Sequence, residues 1–247
     1  MSWQNDVAIW RDVVKKSSDK ARGHNNLGTA LESGMMDEAI KEYKIAIGLK
    51  PDFSEAHNNL GKAYYEQGGR LDEIIKEYKD ALRLNPAFPE AHSNLGNAYY
   101  AQGRIADALG EYKTALKLNP NFAGAYINMG VAYKDMGQLN EAVQEYKKAL
   151  RLRPDLALVY HSFGNVYYLQ GHLHEAIEQY KTALKINPNM TAAYNNLGVA
   201  YEALGQMDNA VQQYNKALEF KPDYSDARKN LDSLSQKMGA AEDARGK

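Results

Sequence analysis

The feature that most constrains the fold is an apolar residue followed by glycine, which recurs along the chain at nearly constant spacing. The pairs are Leu27-Gly28, Leu60-Gly61, Leu95-Gly96, Met129-Gly130, Phe163-Gly164 and Leu197-Gly198. Successive glycines are 33, 35, 34, 34 and 34 residues apart. A period of this length predicts one small unit repeated in tandem, rather than a domain built around a single core.

Other positions recur with the same period. We number positions within each repeat so that this glycine is position 8. Position 24 is then tyrosine, position 27 alanine and position 32 proline, as in Tyr112, Ala115 and Pro120 of the third repeat. The first repeat is one residue shorter before its second helix and has Tyr43, Ala46 and Pro51 at these positions. Positions 4, 7, 8 and 11 share one face of a helix, and the proline ends a second helix. Each repeat is therefore predicted to be a helical hairpin that buries its apolar face only by stacking on its neighbours.

This order of residues resembles the tetratricopeptide repeat family over residues 21–224. The resemblance implies an all-α fold, a right-handed superhelical solenoid of stacked helix-turn-helix hairpins. The implied repeats are 21–53, 54–88, 89–122, 123–156, 157–190 and 191–224. Residues 1–20 are predicted to hold a half-repeat helix with Trp10 at position 24, residues 225–238 to form a capping helix, and residues 239–247 to be a flexible tail.

Two sets of residues predict how each hairpin turns. Glycines at the end of the first helix suit a left-handed backbone: Gly34, Gly68, Gly103, Gly137, Gly171 and Gly205. Short polar residues follow where a second helix needs an N-cap: Asp37, Asp72, Asn140 and Asp208.

Composition excludes several functions. The chain has 30 Lys plus Arg against 31 Asp plus Glu, so it offers no basic surface for nucleic acid. No segment approaches the roughly 18 apolar residues of a membrane span, and the N-terminus lacks the pattern of a signal peptide. We therefore expect no nucleic acid partner, no direct membrane insertion and a cytoplasmic protein.

Catalytic chemistry is also not indicated. The chain has no cysteine, no glycine-rich phosphate loop, no nucleophile elbow and no zinc-protease motif. His24, His57 and His92 share position 4 with tyrosines of later repeats and are predicted to be packing residues. We expect no enzyme activity, no catalytic residue, no cofactor and no metal site.

The first helix of each repeat carries an unexplained asparagine. Positions 2, 5, 6, 9 and 13 are predicted to lie opposite the apolar stripe, yet position 6 is Asn26, Asn59, Asn94, Asn128, Ser162 and Asn196. Asparagine is a mediocre helix former, and its amide both donates and accepts hydrogen bonds. These amides are predicted to hold the backbone of an extended peptide. Inherited repeat similarity or a structural role between neighbouring helices is the alternative.

This asparagine ladder resembles the superhelical repeat region of the protein O-linked N-acetylglucosamine transferases, in which such asparagines hold substrate peptides. The resemblance does not imply transferase activity, since the chain contains no transferase domain. The lysine of the carboxylate clamp that binds chaperone tails is missing at position 5, so an acidic chaperone C-terminus is not an expected ligand.

An apolar strip is predicted on the same face in the later repeats, formed by Ile127, Val131, Leu158, Leu169 and Val199, with Tyr65, Tyr100 and Tyr168 at its margin. Such a strip on a soluble protein predicts a partner site, and Leu158→Asp is expected to weaken binding. The predicted function is a protein-protein interaction scaffold that holds an extended peptide in a concave groove.

Two alternatives remain open at this stage. One is self-assembly of the chain into a homo-oligomer through its ends. The other is a substrate-recruiting module cut from a larger membrane glycosyltransferase, because residues 7–28 resemble a segment that follows the membrane domain of such enzymes.

Overall fold

The computed structural model describes residues 3–245, with side chains described over residues 5–240, and this part of the chain contains helices and turns but no strand. The chain forms two compact units, Met1–Asn128 and Met129–Lys247. The first contains α1 (Trp3–Lys16), α2 (Ala21–Leu31), α3 (Met36–Leu49), α4 (Ser54–Glu66), α5 (Leu71–Leu84), α6 (Pro89–Ala101), α7 (Ile105–Leu118) and the start of α8 (Ala123–Asp135). The second contains the rest of α8, α9 (Leu139–Leu152), α10 (Ala157–Leu169), α11 (Leu173–Ile186), α12 (Thr191–Ala203), α13 (Met207–Phe220) and α14 (Ser225–Arg245).

Consecutive helices pair as hairpins, and the hairpins stack within each unit. In the first unit α2 packs on α3, α4 on α5 and α6 on α7; in the second α10 packs on α11 and α12 on α13. We call the first helix of a hairpin its A helix and the second its B helix. Within each unit, B helices also contact the A helix that follows, as α3 contacts α4 and α11 contacts α12. The predicted all-α solenoid of stacked hairpins is thereby confirmed.

The glycine at position 8 is required by the close approach of the two helices of a hairpin. A Cβ atom added to Gly96 would lie 2.5 Å from Cε1 of Tyr112, and the ring of Tyr112 is buried. The other five hairpins have the same arrangement, with the added Cβ 2.5–2.8 Å from a ring carbon of the tyrosine at position 24. Any side chain at position 8 would therefore have to displace a buried ring.

The turn after the A helix uses glycine for a different reason. Gly68, Gly103, Gly137, Gly171 and Gly205 have φ values of +73 to +78°, which residues with a Cβ atom rarely adopt. The amide of Gly103 donates to the carbonyl of Tyr100, and the next amide donates to Tyr99, so the helix closes through left-handed glycine. The prediction was wrong for Gly34, because the first repeat is one residue shorter and its φ is not positive.

The predicted N-caps were also wrong. The capping residues of the B helices are Met35, Arg70, Gln138 and Gln206, and none makes a side-chain cap. Each short polar residue is the second residue of its helix, because the apolar residue before it is already helical. Three of them instead accept a hydrogen bond from a glutamine of the next repeat: Gln67 to Asp37 at 2.5 Å, Gln102 to Asp72 at 3.2 Å and Gln170 to Asn140 at 2.9 Å.

The last helix, α14, stacks on α13 as an A helix would. It buries Ala227 and Leu234 and exposes mostly polar residues on its other faces. The helix continues past residue 238, the predicted boundary of the capping helix, to Arg245.

Candidate functional site

The asparagines at position 6 bond to the preceding A helix. Their Nδ2 atoms donate to asparagine Oδ1 atoms of that helix: Asn59 to Asn25 at 3.0 Å, Asn94 to Asn58 at 3.0 Å, Asn128 to Asn97 at 2.7 Å and Asn196 to Asn165 at 2.9 Å. Asn230 of α14 bonds to Asn195 in the same way, at 3.0 Å. The structural role that the sequence left as an alternative is therefore present, and these amides are held in place by the stack.

Position 5 is buried in several repeats, although the helical pattern predicts it on the exposed face. Asn25, Asn58, Ser93 and Asn195 are all buried. The reason is that neighbouring A helices contact each other along this edge, which covers position 5 with the asparagine of the following repeat. Asn25, Asn58 and Asn195 each supply the oxygen that accepts the hydrogen bond from the next repeat.

Two asparagines at position 9, Asn97 and Asn165, were not predicted as site residues. In each of them the side-chain oxygen is occupied by hydrogen bonds and the Nδ2 atom is left to donate to a ligand. Oδ1 of Asn165 accepts from the Tyr180 hydroxyl at 2.8 Å and from Asn196 Nδ2 at 2.9 Å. Burial raises the pKa of Tyr180, so its hydroxyl stays a protonated donor. With its oxygen occupied, the amide of Asn165 is oriented, and none of the described residues accepts from its Nδ2 atom.

Asn97 has the same arrangement in the first unit. Its Oδ1 atom accepts from the Tyr112 hydroxyl at 2.8 Å and from Asn128 Nδ2 at 2.7 Å. The sequence does contain the signal for this network, because Asn97 and Asn128 are separated by 31 residues, as are Asn165 and Asn196. The pattern is visible only when the two asparagines are compared as a pair, because position 9 by itself is not asparagine in most repeats.

A pocket of about 460 Å³ opens beside Asn165 in the second unit. Its lining residues are Lys134, Asp135, Asn165, Tyr168, Leu169, Tyr180, Asn196 and Val199. It therefore brings together four residues of the predicted site: Tyr168, Leu169, Val199 and Asn196. Val131 is half-buried on α8, and Leu158, although 63% exposed, lies at the other end of α10; neither lines this pocket.

Asn196 forms a fixed wall of the pocket. Besides Asn165, its Nδ2 atom donates to Nε2 of His161 at 3.0 Å, which uses both of its hydrogens. Burial lowers the pKa of His161, so its ring is neutral and Nε2 can accept this bond. The oxygen of Asn196 accepts from Asn195 at 3.2 Å, which leaves Asn165 as the more available donor.

In the first unit, the A-helix face that carries position 9 has a charged residue where the pocket of the second unit has Asn165 and Val199. Lys62 at position 9 forms ion pairs with Glu32 at 2.7 Å and Glu66 at 3.7 Å. Of the aromatic residues predicted at the margin, Tyr65 is exposed and Tyr100 is half-buried, and Ile127 is half-buried on α8. None of these three residues lines the pocket beside Asn165.

The three histidines at position 4 are buried or half-buried, and each also pairs with a carboxylate. Nδ1 lies 2.6–2.7 Å from a glutamate oxygen in the pairs His24–Glu42, His57–Glu77 and His92–Glu111. Nε2 faces a backbone carbonyl in each case, at 3.0 Å from Ser18, 3.4 Å from Pro51 and 3.0 Å from Pro86. For His57, the acceptors at both nitrogens suit the doubly protonated ring and raise its pKa.

We expect the His57–Glu77 pair to make stability depend on pH. Its hydrogen bond to Glu77 raises the pKa of His57 despite burial. Burial of Glu77 raises its pKa, but the bond from His57 and the charge of Lys76 outweigh this and lower it overall. The glutamate contribution is present above pH 4.5, and the histidine contribution is complete below pH 6.5 and lost as pH rises through the raised pKa.

Urea unfolding of the wild type should accordingly give a lower free energy of unfolding at pH 9 than at pH 6. His57→Tyr, which installs the residue that later repeats use at position 4, should remove part of this difference. His174→Gln, at an exposed position of α11, is the control and should leave the difference unchanged. An unchanged pH dependence in His57→Tyr would contradict the charged pair.

One cluster in the described residues has the spacing of a cation site. Ligand atoms of His57, Glu77 and Asp80 lie within 4.8 Å of one another. Two cationic side chains already neutralise the carboxylates, since Lys76 lies 3.3 Å from Glu77 and 3.0 Å from Asp80, and Arg83 lies 3.2 Å from Asp80. The cluster is accounted for as an ion-pair network on α5.

Stacked hairpins joined by hydrogen bonds between asparagine side chains define a helical-repeat protein, in which each repeat contacts mainly its neighbours. A family model described as TPR repeat matches residues 31–68, 67–103, 96–137, 132–171 and 164–205. A second, described as tetratricopeptide repeat, matches residues 191–224. The chain belongs to the tetratricopeptide repeat family.

Solved structures agree with this fold, whereas no curated protein matches the chain. The chain is similar to one from the APC/C hetero-tetramer Cut9-Hcn1, with a TM-score of 0.83 and 18% identity over 94% of this chain and 46% of that one. It is similar to YrrB, described as a TPR protein with an unusual peptide-binding site, with a TM-score of 0.61 and 21% identity over 76% and 96% of the two chains. MamA gives a TM-score of 0.61 and 31% identity over 67% and 96%.

Family membership defines the class of function. Tetratricopeptide repeat proteins bind protein or peptide partners, and the chain is a protein-protein interaction scaffold. Proteins of this family are typically scaffolds without enzymatic activity. None of the helices described here combines the length and apolar character needed to cross a membrane.

Proposed function

We propose that the second unit binds an extended peptide, with its backbone held by Asn165 and an apolar side chain held against Leu169 and Val199. The observation that carries this proposal is the orientation of the Asn165 amide. Two donors saturate its oxygen, so its Nδ2 atom is the group that remains to bind a ligand. A backbone carbonyl is the acceptor that every extended peptide offers.

The apolar part of the pocket supports the same ligand. Leu169 is 60% exposed and lines the pocket together with Val199, so the pocket offers apolar surface to a ligand. Tyr168 and Val199 flank it in the pocket, and Lys134 and Asp135 form an ion pair of 3.0 Å at the rim. Pockets that combine an apolar wall with a few oriented polar groups are typical ligand sites.

In this proposal the asparagines at position 6 are not the main ligands of the peptide backbone. Asn59, Asn94, Asn128 and Asn196 bond to the preceding A helix, so they are proposed to contact the peptide less directly than Asn165 does. Asn26 remains a proposed peptide contact. Tyr168 lines the pocket itself. Val131 and Leu158 remain proposed contacts of a ligand that extends beyond the pocket, and Ile127, Tyr65 and Tyr100 remain proposed peptide contacts of the first unit. Recruitment of substrates for a membrane glycosyltransferase stays a prediction that requires the same peptide site.

The isosteric variant Asn165→Asp tests the amide directly. It keeps an oxygen to accept from Tyr180 and Asn196 but removes the Nδ2 donor, so the bond to a ligand carbonyl is replaced by repulsion. We expect peptides selected from an unbiased display library to bind Asn165→Asp at least about tenfold more weakly, equivalent to about 1.4 kcal/mol. Calorimetric titration measures the difference.

Leu169→Asp tests the apolar wall and should weaken the same peptides by about tenfold or more. Leu158→Asp should weaken only those peptides that are long enough to extend past the pocket. His174→Asp is the matched control: it adds the same charge in the same unit, on an exposed position of a B helix where other repeats have aspartate. Peptides that bind Leu169→Asp as tightly as His174→Asp would contradict the proposed site.

A further inference from the structure

The A helices of the first unit also present an oriented amide with a free donor. Oδ1 of Asn97 accepts from the Tyr112 hydroxyl and from Asn128, and none of the described residues accepts from Asn97 Nδ2. Burial raises the pKa of Tyr112, and the nearby hydroxyls of Tyr65 and Tyr100 raise it further. Both of these side chains therefore lie close to the group that orients Asn97.

A carboxylate stands beside Tyr65 on α4. Positions 9, 12 and 13 share one face of an A helix, so Tyr65 and Glu66 lie next to Lys62 on the face that carries Asn97 in α6. The helices α4 and α6 contact each other directly. The pKa of Tyr78 is raised by burial and further by both Tyr65 and Glu66, which is consistent with their lying together on this face.

The charge of Glu66 is only partly balanced by its neighbours. Its one ion pair with a described residue is to Lys62 at 3.7 Å, which is beyond hydrogen-bonding distance. Lys62 donates instead to Glu32 at 2.7 Å, and Glu32 also accepts from the Tyr43 hydroxyl at 2.7 Å. The Glu66 side chain is 44% exposed, so its carboxylate is the one that remains for a ligand.

We propose that the A-helix face of the first unit binds an extended peptide that contains arginine, with a backbone carbonyl held by Asn97 and the guanidinium group held between Tyr65 and Glu66. A guanidinium group suits both neighbours, because it stacks on an aromatic ring and forms paired hydrogen bonds with a carboxylate. Adjacent A helices lie about 10 Å apart, which an extended chain spans in about three residues. This surface is separate from the pocket of the second unit, and its ligand has a different chemistry.

Charge on the rest of this face favours a cationic ligand over an acidic or apolar one. Positions 2, 5, 6, 9, 12 and 13 of α2, α4 and α6 carry four glutamates and two cations: Glu32, Glu55, Glu66 and Glu90 against Arg22 and Lys62. An acidic peptide would have to take Lys62 from Glu32, whose side chain is only 17% exposed. An apolar peptide would cover Glu66 without supplying a cation, which is costly.

Two peptides of the same shape test the charge. A fluorescein-labelled peptide in which arginine alternates with alanine presents its guanidinium groups on one side of the extended chain. Citrulline in place of arginine keeps the shape of the side chain and removes its charge. We expect fluorescence anisotropy to show that the full chain binds the citrulline peptide at least about tenfold more weakly than the arginine peptide. Equal binding of the two peptides, or no binding of the arginine peptide, would overturn the proposal.

Matched variants of the chain locate the site. Glu66→Gln should weaken the arginine peptide severalfold without changing the melting temperature. Glu73→Gln is the control, because Glu73 is an exposed glutamate of α5 with a similarly long ion pair, 3.8 Å from Arg70. Equal effects of the two substitutions would reduce the interaction to general attraction by an acidic protein and contradict a site at Glu66.

Asn97→Thr tests the amide. In the first repeat Thr29 occupies this position, where it accepts from Tyr43 and donates to the carbonyl of Asn25. Threonine at residue 97 should therefore keep an acceptor for Tyr112 but offer no donor to a ligand, and the arginine peptide should bind severalfold more weakly. An unchanged affinity would exclude Asn97 as the backbone ligand.

The two peptide sites are distinguished by their variants. Apolar peptides in the pocket of the second unit should be lost in Leu169→Asp, whereas the arginine peptide should be lost in Glu66→Gln. An arginine peptide that is weakened by Leu169→Asp and not by Glu66→Gln would lie in the second unit, which would refute the site in the first unit and leave the proposed function intact.

Discussion

Gly96→Val is expected to reduce the free energy of unfolding by about 3 kcal/mol, at the upper end of the usual cost of overpacking a core. The new Cβ atom would lie 2.5 Å from Cε1 of Tyr112 and 2.8 Å from Cδ1. Tyr112 is buried, and its hydroxyl is held by Asn97 at 2.8 Å, so the ring has little room to move. The two helices must separate, which exposes apolar surface along the whole hairpin.

Gly110 provides the control for this variant within the same hairpin. It lies in the middle of α7, and a Cβ atom added there would meet nothing within 4 Å. Gly110→Ala should therefore raise the free energy of unfolding by about 0.5–1 kcal/mol, because alanine favours the helix over glycine. Urea denaturation followed by circular dichroism measures both changes. Similar effects of the two substitutions would contradict the close approach as the reason for glycine at position 8.

Tyr180→Ala should have an effect of comparable size or larger, about 3–5 kcal/mol. The ring is buried in the second unit, where it packs on Gly164 and joins the cluster that contains Ala176, Ile177 and Leu197. Since Gly164 contributes no side chain, the facing helix cannot fill the space that the ring leaves at this position. Thermal melting and urea denaturation should both show the loss.

Tyr180→Phe separates the ring from the hydroxyl. It keeps the packing but removes the bond to Asn165, and should cost about 1 kcal/mol. It should also weaken peptide binding in the proposed pocket, because Asn165 Oδ1 then has only Asn196 to orient it. A Phe variant as unstable as the Ala variant would show that the hydrogen bond, and not ring packing, dominates at position 24.

The repeat pattern was sufficient to predict the fold because hairpin packing depends on a few positions with strict size limits. Gly96 and Tyr112 show this: a ring in one helix fits only where the facing helix has no side chain. Such steric rules act within one repeat and appear as invariant letters in the sequence. The left-handed glycines were predicted on the same basis, and Gly34 differs only because its repeat is one residue shorter.

The polar contacts were harder to predict because they join different repeats. Asn25 looked exposed on a single helix, yet it is buried by its contact with the next A helix. Asp37 looked like an N-cap, yet its carboxylate accepts from Gln67 of the following repeat. The candidate site has the same property, since Asn165 is oriented by residues 15 and 31 positions away. Periodicity in the sequence does not show which polar side chains of neighbouring repeats form hydrogen bonds with each other.

Because asparagine side chains of neighbouring A helices form hydrogen bonds with each other, the repeats are not freely interchangeable during evolution. Loss of the second repeat by recombination would place Asn94 beside Asn25, which offers the same acceptor as Asn58. Loss of the fifth repeat would place Asn196 beside Ile127 and Val131, which offer none. Deletions and duplications should therefore survive at some repeat boundaries and fail at others, and the identity of positions 5 and 9 decides which.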